Sequence, residues 1–159
     1  MKEGESVRLP RVQTAEGTWL DLGALAREGW LVLFFYPKSG SPGCTLQARR
    51  YAALAEEFES LRAHVLGVST DPQPVQCAFS ERTGVRTVPD PTGHLASIFG
   101  VGRFLGHLRR DTVVVNHHLI VEKIWRRTNP LRDADRVLAY LKARSHGPEA
   151  TQADSHGTA

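Results

Sequence analysis

The seven residues Trp30 to Tyr36 read WLVLFFY and are apolar or aromatic throughout. A run of this length, rich in aromatic and branched side chains, suits a strand buried on both faces. Such a strand needs a covering layer on each side, so the rest of the chain has to supply helices and neighbouring strands. It is also far too short to span a bilayer. After it comes a loop from Pro37 to Gly43, and then Tyr51, Leu54, Ala55, Phe58 and Leu61 recur at helical spacing. That spacing predicts one amphipathic helix from Cys44 to about Leu61, with Cys44 at its amino terminus.

The remaining segments fit around this centre. Short alternating stretches between Val7 and Leu22, broken at Ala15-Glu16-Gly17, read as a small hairpin, and Leu22 to Ala26 reads as a helical turn closed by Gly29. A second buried strand, His64 to Ser69, leads through Asp71-Pro72 into a helix from about Pro74 to Thr83 that carries Cys77. Leu95 to Phe99 is a short helix ended by Gly100. Thr112 to Val115 and Ile120 to Trp125 are strands joined at Asn116-His117-His118, and Asp133 to Arg144 is a last helix with Ala134, Val137, Leu138 and Leu141 inward. Strands alternating with helices, then a hairpin, predict an α/β fold with a central mixed sheet flanked by helices. A chain of 159 residues suits one domain, here residues 1–144, followed by a polar tail, 145–159, expected to be disordered.

Charge narrows the partners. Lys and Arg total 20 against 17 Asp and Glu, a net charge of +3, and the pairs Arg49-Arg50, Arg109-Arg110 and Arg126-Arg127 are scattered among acids. They read as solvated helix faces and strand ends, so neither nucleic acid nor membrane is an expected partner. Met1 to Pro10 lacks the apolar core of a signal peptide, and a cytoplasmic location is the expectation. The two cysteines, Cys44 and Cys77, form no CxxC and have no zinc-site spacing, and a reducing cytosol argues against a static staple.

Cys44 carries the chemistry. In the first turn of a helix, backbone N–H groups lack carbonyl partners and the dipole is positive, and both stabilise a thiolate. Ser41 can set a hydroxyl beside the sulfur or a bound oxygen, while Pro37 and Pro42 shape the loop and shield the site from water. A lone free cysteine is most often an inert, buried small hydrophobe. The context of strand, loop and helix argues instead for a reactive one.

Pro37, Ser41 and Cys44 match the peroxiredoxin motif of Pro, three residues, Thr or Ser, two residues, Cys. The stretch FYPKSGSPGCT resembles the peroxiredoxin Q branch, also called the bacterioferritin comigratory proteins. The resemblance runs from about Leu9 to Leu141, with further marks at Gly67-Val68-Ser69-Thr70-Asp71, Phe79, Pro89-Asp90-Pro91-Thr92-Gly93 and Phe99-Gly100-Val101. It implies a thioredoxin-like fold and reduction of hydrogen peroxide or organic hydroperoxides, with no metal, flavin or haem. Cys44 is then the peroxidatic thiol, and Ser41 stands for the motif Thr. Arg110, in Arg110-Asp111-Thr112-Val113, is the cation that steadies the thiolate and orients the peroxide, with Arg109 as competitor if the register slips.

Departures from the branch pattern matter too. Many members place a resolving cysteine where this chain has Arg49, and Gln47 replaces a common acid. Asn116-His117-His118-Leu119 lacks the turn glycine, and the two histidines are expected to be exposed turn residues rather than ligands, since adjacent residues of a strand point to opposite faces. Other members carry the resolving cysteine in the next helix, where Cys77 falls; a Cys of no consequence stays open there. A thioredoxin-like reductant and a monomer or weak homodimer are implied. The alternatives are a thiol-disulfide oxidoreductase on the same fold, which normally needs CxxC, and a peroxide-sensing module.

Overall fold

The computed structural model describes residues 1–145, so the predicted tail lies outside the described residues from position 146 onward. Strand β1 (Arg11–Gln13) pairs antiparallel with β2 (Trp19–Asp21), giving the expected hairpin. Helix α1 (Leu22–Arg27) follows at once, and Asp21 caps it by accepting the Ala24 N–H at 3.1 Å.

The WLVLFF stretch is β3 (Trp30–Phe35), the middle of a five-stranded sheet. On one side it pairs parallel with β4 (Ala63–Ser69), which pairs parallel with β5 (Thr87–Pro89). On the other it pairs antiparallel with β8 (Thr112–Asn116), which pairs antiparallel with β9 (Val121–Trp125). The sheet is therefore mixed, in the order β5-β4-β3-β8-β9. A separate small hairpin joins β6 (Arg103–Phe104) to β7 (His107–Leu108).

Alternation along β3 divides the core in two. Leu31, Leu33 and Phe35 face one cluster with Leu22 and Ala26 of α1 and with Leu95 and Ala96 of α5 (His94–Ile98). Val32 and Phe34, with Tyr36 beyond the strand end, face the other, where α2 (Pro42–Ala53), α3 (Ala55–Ser60), α4 (Gln73–Thr83) and α6 (Asp133–Ser145) pack. A strand sandwiched this way cannot afford a polar residue on either side, which is why it reads as one apolar run.

The single helix expected from Cys44 to Leu61 is two. Leu54 (φ −97°, ψ 10°) ends α2 and opens α3, with its N–H shared between the Arg50 and Tyr51 carbonyls. The apolar spacing runs on through the bend because Leu54 and Phe58 still face the same core. The β8–β9 turn forms without glycine: Leu119 takes the left-handed conformation (φ 60°), and Asn116 Oδ1 accepts the N–H groups of His118 and Ile120. His117 and His118 are exposed in that turn, as expected, and their rings lie 4.0 Å apart. Burial, and then the His118 neighbour, lower the His117 pKa.

Candidate active site

The carboxyl end of β3 releases the chain into residues 37–41, and α2 begins immediately after. Ser41 is the N-cap residue, Pro42 occupies the first turn, where a missing N–H costs nothing, and Cys44 follows two residues later. The Cys44 side chain is fully buried, with its sulfur at the positive end of a twelve-residue helix. Arg110 reaches it from the loop before β8, Nη2 lying 3.4 Å from Sγ. Arg109 makes no hydrogen bond to the sulfur, and its side chain runs beside Gly102 instead. The arginine expected from the motif is thus the one at the thiol. Residues 109–111 are outside any strand, however, so strand alternation is not what separates the two.

The Ser41 hydroxyl makes no hydrogen bond to the sulfur. It donates to the Lys38 carbonyl at 3.0 Å, closing the loop on itself. Pro37 is half-buried, and its carbonyl accepts from His107 Nδ1 at 3.1 Å, which ties the loop to the β6–β7 hairpin. Between them lies a groove of about 400 Å³ lined by Pro37, Phe104, Leu105, Leu108, Arg109 and Arg110 among others.

Beneath the thiol lies a buried polar layer. Gln47 Oε1 accepts from Arg110 Nη1 at 2.5 Å, and Gln47 Nε2 donates to Asp133 Oδ2 at 3.0 Å. Tyr51 OH and Thr112 Oγ1 donate to the same Asp133 oxygen at 2.6 and 2.8 Å. Burial first, and the Asp133 charge second, push the Tyr51 phenol well above its ordinary pKa, so it stays a donor. Sequence reasoning missed Asp133 because an acid in the first turn of a helix is already explained by the dipole. It treated Gln47 only as a departure.

A second polar cluster joins the Cys44 loop to the helix of Cys77. Asp71 Oδ2 accepts from the Ser39 N–H and from Ser69 Oγ, both at 2.7 Å, and Gln76 Nε2 donates to Ser69 Oγ at 2.8 Å. Tyr36 OH hydrogen-bonds Ser39 Oγ at 3.1 Å, and its ring stacks on Phe79 of α4 at 5.3 Å. Burial holds the Tyr36 phenol far above its ordinary pKa, against hydrogen bonds from Ser39 and Ser69 that lower it. Gln76, Phe79, Ser80 and Thr83 form the inward stripe of α4, and Cys77 stands half-buried at its edge. Both cysteines are free thiols.

A buried free cysteine at a helix start, on a thioredoxin-like sheet and with an arginine at the sulfur, is the arrangement of a thiol-based redox enzyme. The AhpC/TSA family model matches residues 4–124, and the chain belongs to that family, in the peroxiredoxin Q or Bcp branch. It is a peroxiredoxin, a thiol peroxidase. Peroxiredoxin Bcp of Xanthomonas campestris is 34% identical over 123 residues, covering 72% of this chain and 77% of that protein. The crystal structure of peroxidoxin BcpB from Mycobacterium tuberculosis superposes with a TM-score of 0.83 at 36% identity, over 90% of this chain and 97% of the other. The Xanthomonas campestris bacterioferritin comigratory protein, solved in work on its alkyl peroxide reduction activity, gives a TM-score of 0.80 at 31% identity, over 89% and 99%.

Proposed function

We propose that the protein reduces hydrogen peroxide and organic hydroperoxides through Cys44, that Cys77 resolves the oxidised sulfur, and that a thioredoxin-like dithiol closes the cycle. The observation that carries this reading is the Arg110 guanidinium 3.4 Å from a buried sulfur at a helix amino terminus. The Cys44 thiolate attacks one peroxide oxygen and the O–O bond breaks. The leaving oxygen takes a proton as water or alcohol, and Cys44 is left as the sulfenic acid. Arg110 and the first-turn N–H groups meet the charge that moves onto the oxygens. Ser41 Oγ donates to the Lys38 carbonyl and so keeps lone pairs free to accept the peroxide O–H. Pro37 and the apolar side of the groove shield the thiol and offer room for an alkyl group, which favours organic hydroperoxides among the substrates.

Cys77 then attacks the Cys44 sulfur, expelling the hydroxyl as water and leaving a disulfide. That bond needs Cα atoms within about 7 Å, so any larger separation in the reduced form has to be closed by local unwinding of α4, the start of α2, or both. A cytoplasmic setting suits a disulfide that must be reopened. No helix among the described residues is long and apolar enough to cross a membrane. We take the molecule to act as a monomer or weak homodimer.

Steady-state turnover of hydrogen peroxide and cumene hydroperoxide with thioredoxin, thioredoxin reductase and NADPH tests the proposal. Turnover should vanish in Cys44→Ser and fall in Cys77→Ser. Undiminished turnover in Cys44→Ser would overturn it.

A further inference from the structure

Arg110 stands on a stretch that no sheet ladder holds, since residues 109–111 lie between β7 and β8 and belong to neither. Its backbone is fixed by other means. The Arg110 carbonyl accepts from the Thr128 N–H, and the Asp111 carbonyl accepts from the Phe35 N–H at the end of β3, both at 2.7 Å. Thr128 belongs to the turn that leaves β9, where Arg127 takes the left-handed conformation (φ 53°) without being glycine. A turn of that kind needs a tether. Asp111 supplies it: Oδ1 accepts from the Arg127 N–H at 2.9 Å, and Oδ2 accepts from Arg126 Nη1 at 2.8 Å. The carboxylate is only 2% exposed, so it needs a charged partner, and Arg126 is that partner. The same guanidinium donates to the Phe99 carbonyl at 2.9 Å and the Gly100 carbonyl at 3.3 Å, just past α5. Three acceptors on one planar fork suit arginine and not lysine. Arg126 is therefore more than a solvated strand end. Arg110, although next to Asp111 in sequence, has no carboxylate as an ion-pair partner among the described residues.

We propose that Asp111 and Arg126 are positioning residues for peroxide reduction: their ion pair locks the turn of residues 126–128 onto the loop before β8 and so fixes the backbone from which Arg110 reaches the sulfur. The inference rests on Cys44 being the thiol that peroxide oxidises, with Arg110 as the cation beside it. Arginine is long and flexible, so the 3.4 Å contact of Nη2 with Sγ depends on where the side chain starts. A shift of about 1 Å at that point is enough to misplace a catalytic donor. Arg126 has a second effect. It occupies the Asp111 carboxylate, which without it would be free to pair with the neighbouring Arg110 guanidinium and draw its charge off the thiol.

The test is the second-order rate constant for oxidation of Cys44 by hydrogen peroxide, read by quenched alkylation and mass spectrometry beside thermal unfolding. Arg126→Met keeps an unbranched apolar stem and removes the fork. Its oxidation rate should fall about ten-fold, the scale of a misplaced charged donor. Arg126→Lys returns a cation to Asp111 without the fork, and should recover part of that loss. In an Arg110→Met background, Arg126→Met should change the rate by less than about two-fold, because there is no guanidinium left to position. Should Arg126→Met fail to fold, with Asp111 left charged and alone, Asp111→Asn combined with Arg126→Met removes both charges together. The same comparison, with and without the Arg110 guanidinium, is then made on that pair. A wild-type rate in the folded variant, or an equal loss in the two backgrounds, would overturn the proposal and leave the ion pair a role in stability alone. If wild-type Cys44 is not oxidised, the reading of the site fails first and separately.

Discussion

Arg110 divides one guanidinium between two partners, Nη2 toward the Cys44 sulfur and Nη1 toward the Gln47 oxygen. Arg109, its neighbour in sequence, has neither. Arg110→Ala should therefore slow peroxide reduction by about 100-fold, the scale of losing one preorganised charged donor, while Arg109→Ala should stay within about two-fold. Steady-state kinetics of the two variants check this, and a loss confined to Arg109→Ala would contradict it. Gly67 is another residue whose identity is set by its surroundings. A Cβ there would lie 2.7 Å from Phe34 Cζ and 3.1 Å from Tyr36 Cε1, and both rings are fully buried. Phe34 also stacks on Tyr51 at 4.5 Å, so it has no room to yield. Gly67→Ala should cost about 1–3 kcal/mol by overpacking, seen as a lower urea midpoint.

At the scale of elements, β9 and α6 are joined through Glu122, which accepts from Asn116 Nδ2, Tyr140 OH and Arg144 Nε at 2.8–3.0 Å. Burial alone would raise its carboxyl, but these donors outweigh burial and hold it below its ordinary value. Tyr140 is pushed up to about 12, by burial first and Glu122 next. A carboxyl depressed on folding contributes stability that is complete above its unfolded value, about 4.3, and is lost as pH falls through the folded value. Glu122→Gln should thus cost about 1–2 kcal/mol at pH 7, and the gap should close in acid. Urea titrations at neutral and acid pH measure it; a gap that does not change with pH would contradict the charge argument. Most elements were legible because burial marked them with an apolar run, as in β3 and β4, or with a helical period, as in α6. Those that were not carry neither. Strand β5 is three residues long and ends in Pro89, β6 and β7 have two residues each, and the bend at Leu54 lies among good helix formers.

For the whole molecule, the placement of Cys44 at a helix start was legible from local context, since loop, cap and helix start are contiguous in sequence. Its supports were not. Asp133, Thr112 and Tyr51 meet only when α6, β8 and α2 pack, and Ser39, Asp71 and Gln76 only when two loops close on each other. The second cluster bears on the cycle. Asp71 binds the Cys44 loop to the segment before α4, so, if Cys77 resolves Cys44, any movement that brings the two together must release or carry it. If Cys77 resolves Cys44, Cys77→Ser should still be oxidised at Cys44, turn over more slowly with thioredoxin, and accumulate sulfinic acid under excess peroxide. The most direct measurement is intact mass with disulfide mapping after one equivalent of hydrogen peroxide is added to the reduced protein. The account predicts the loss of two hydrogens and a single linked peptide pair joining Cys44 to Cys77. An unmodified Cys44, with oxidation elsewhere in the chain, would contradict it.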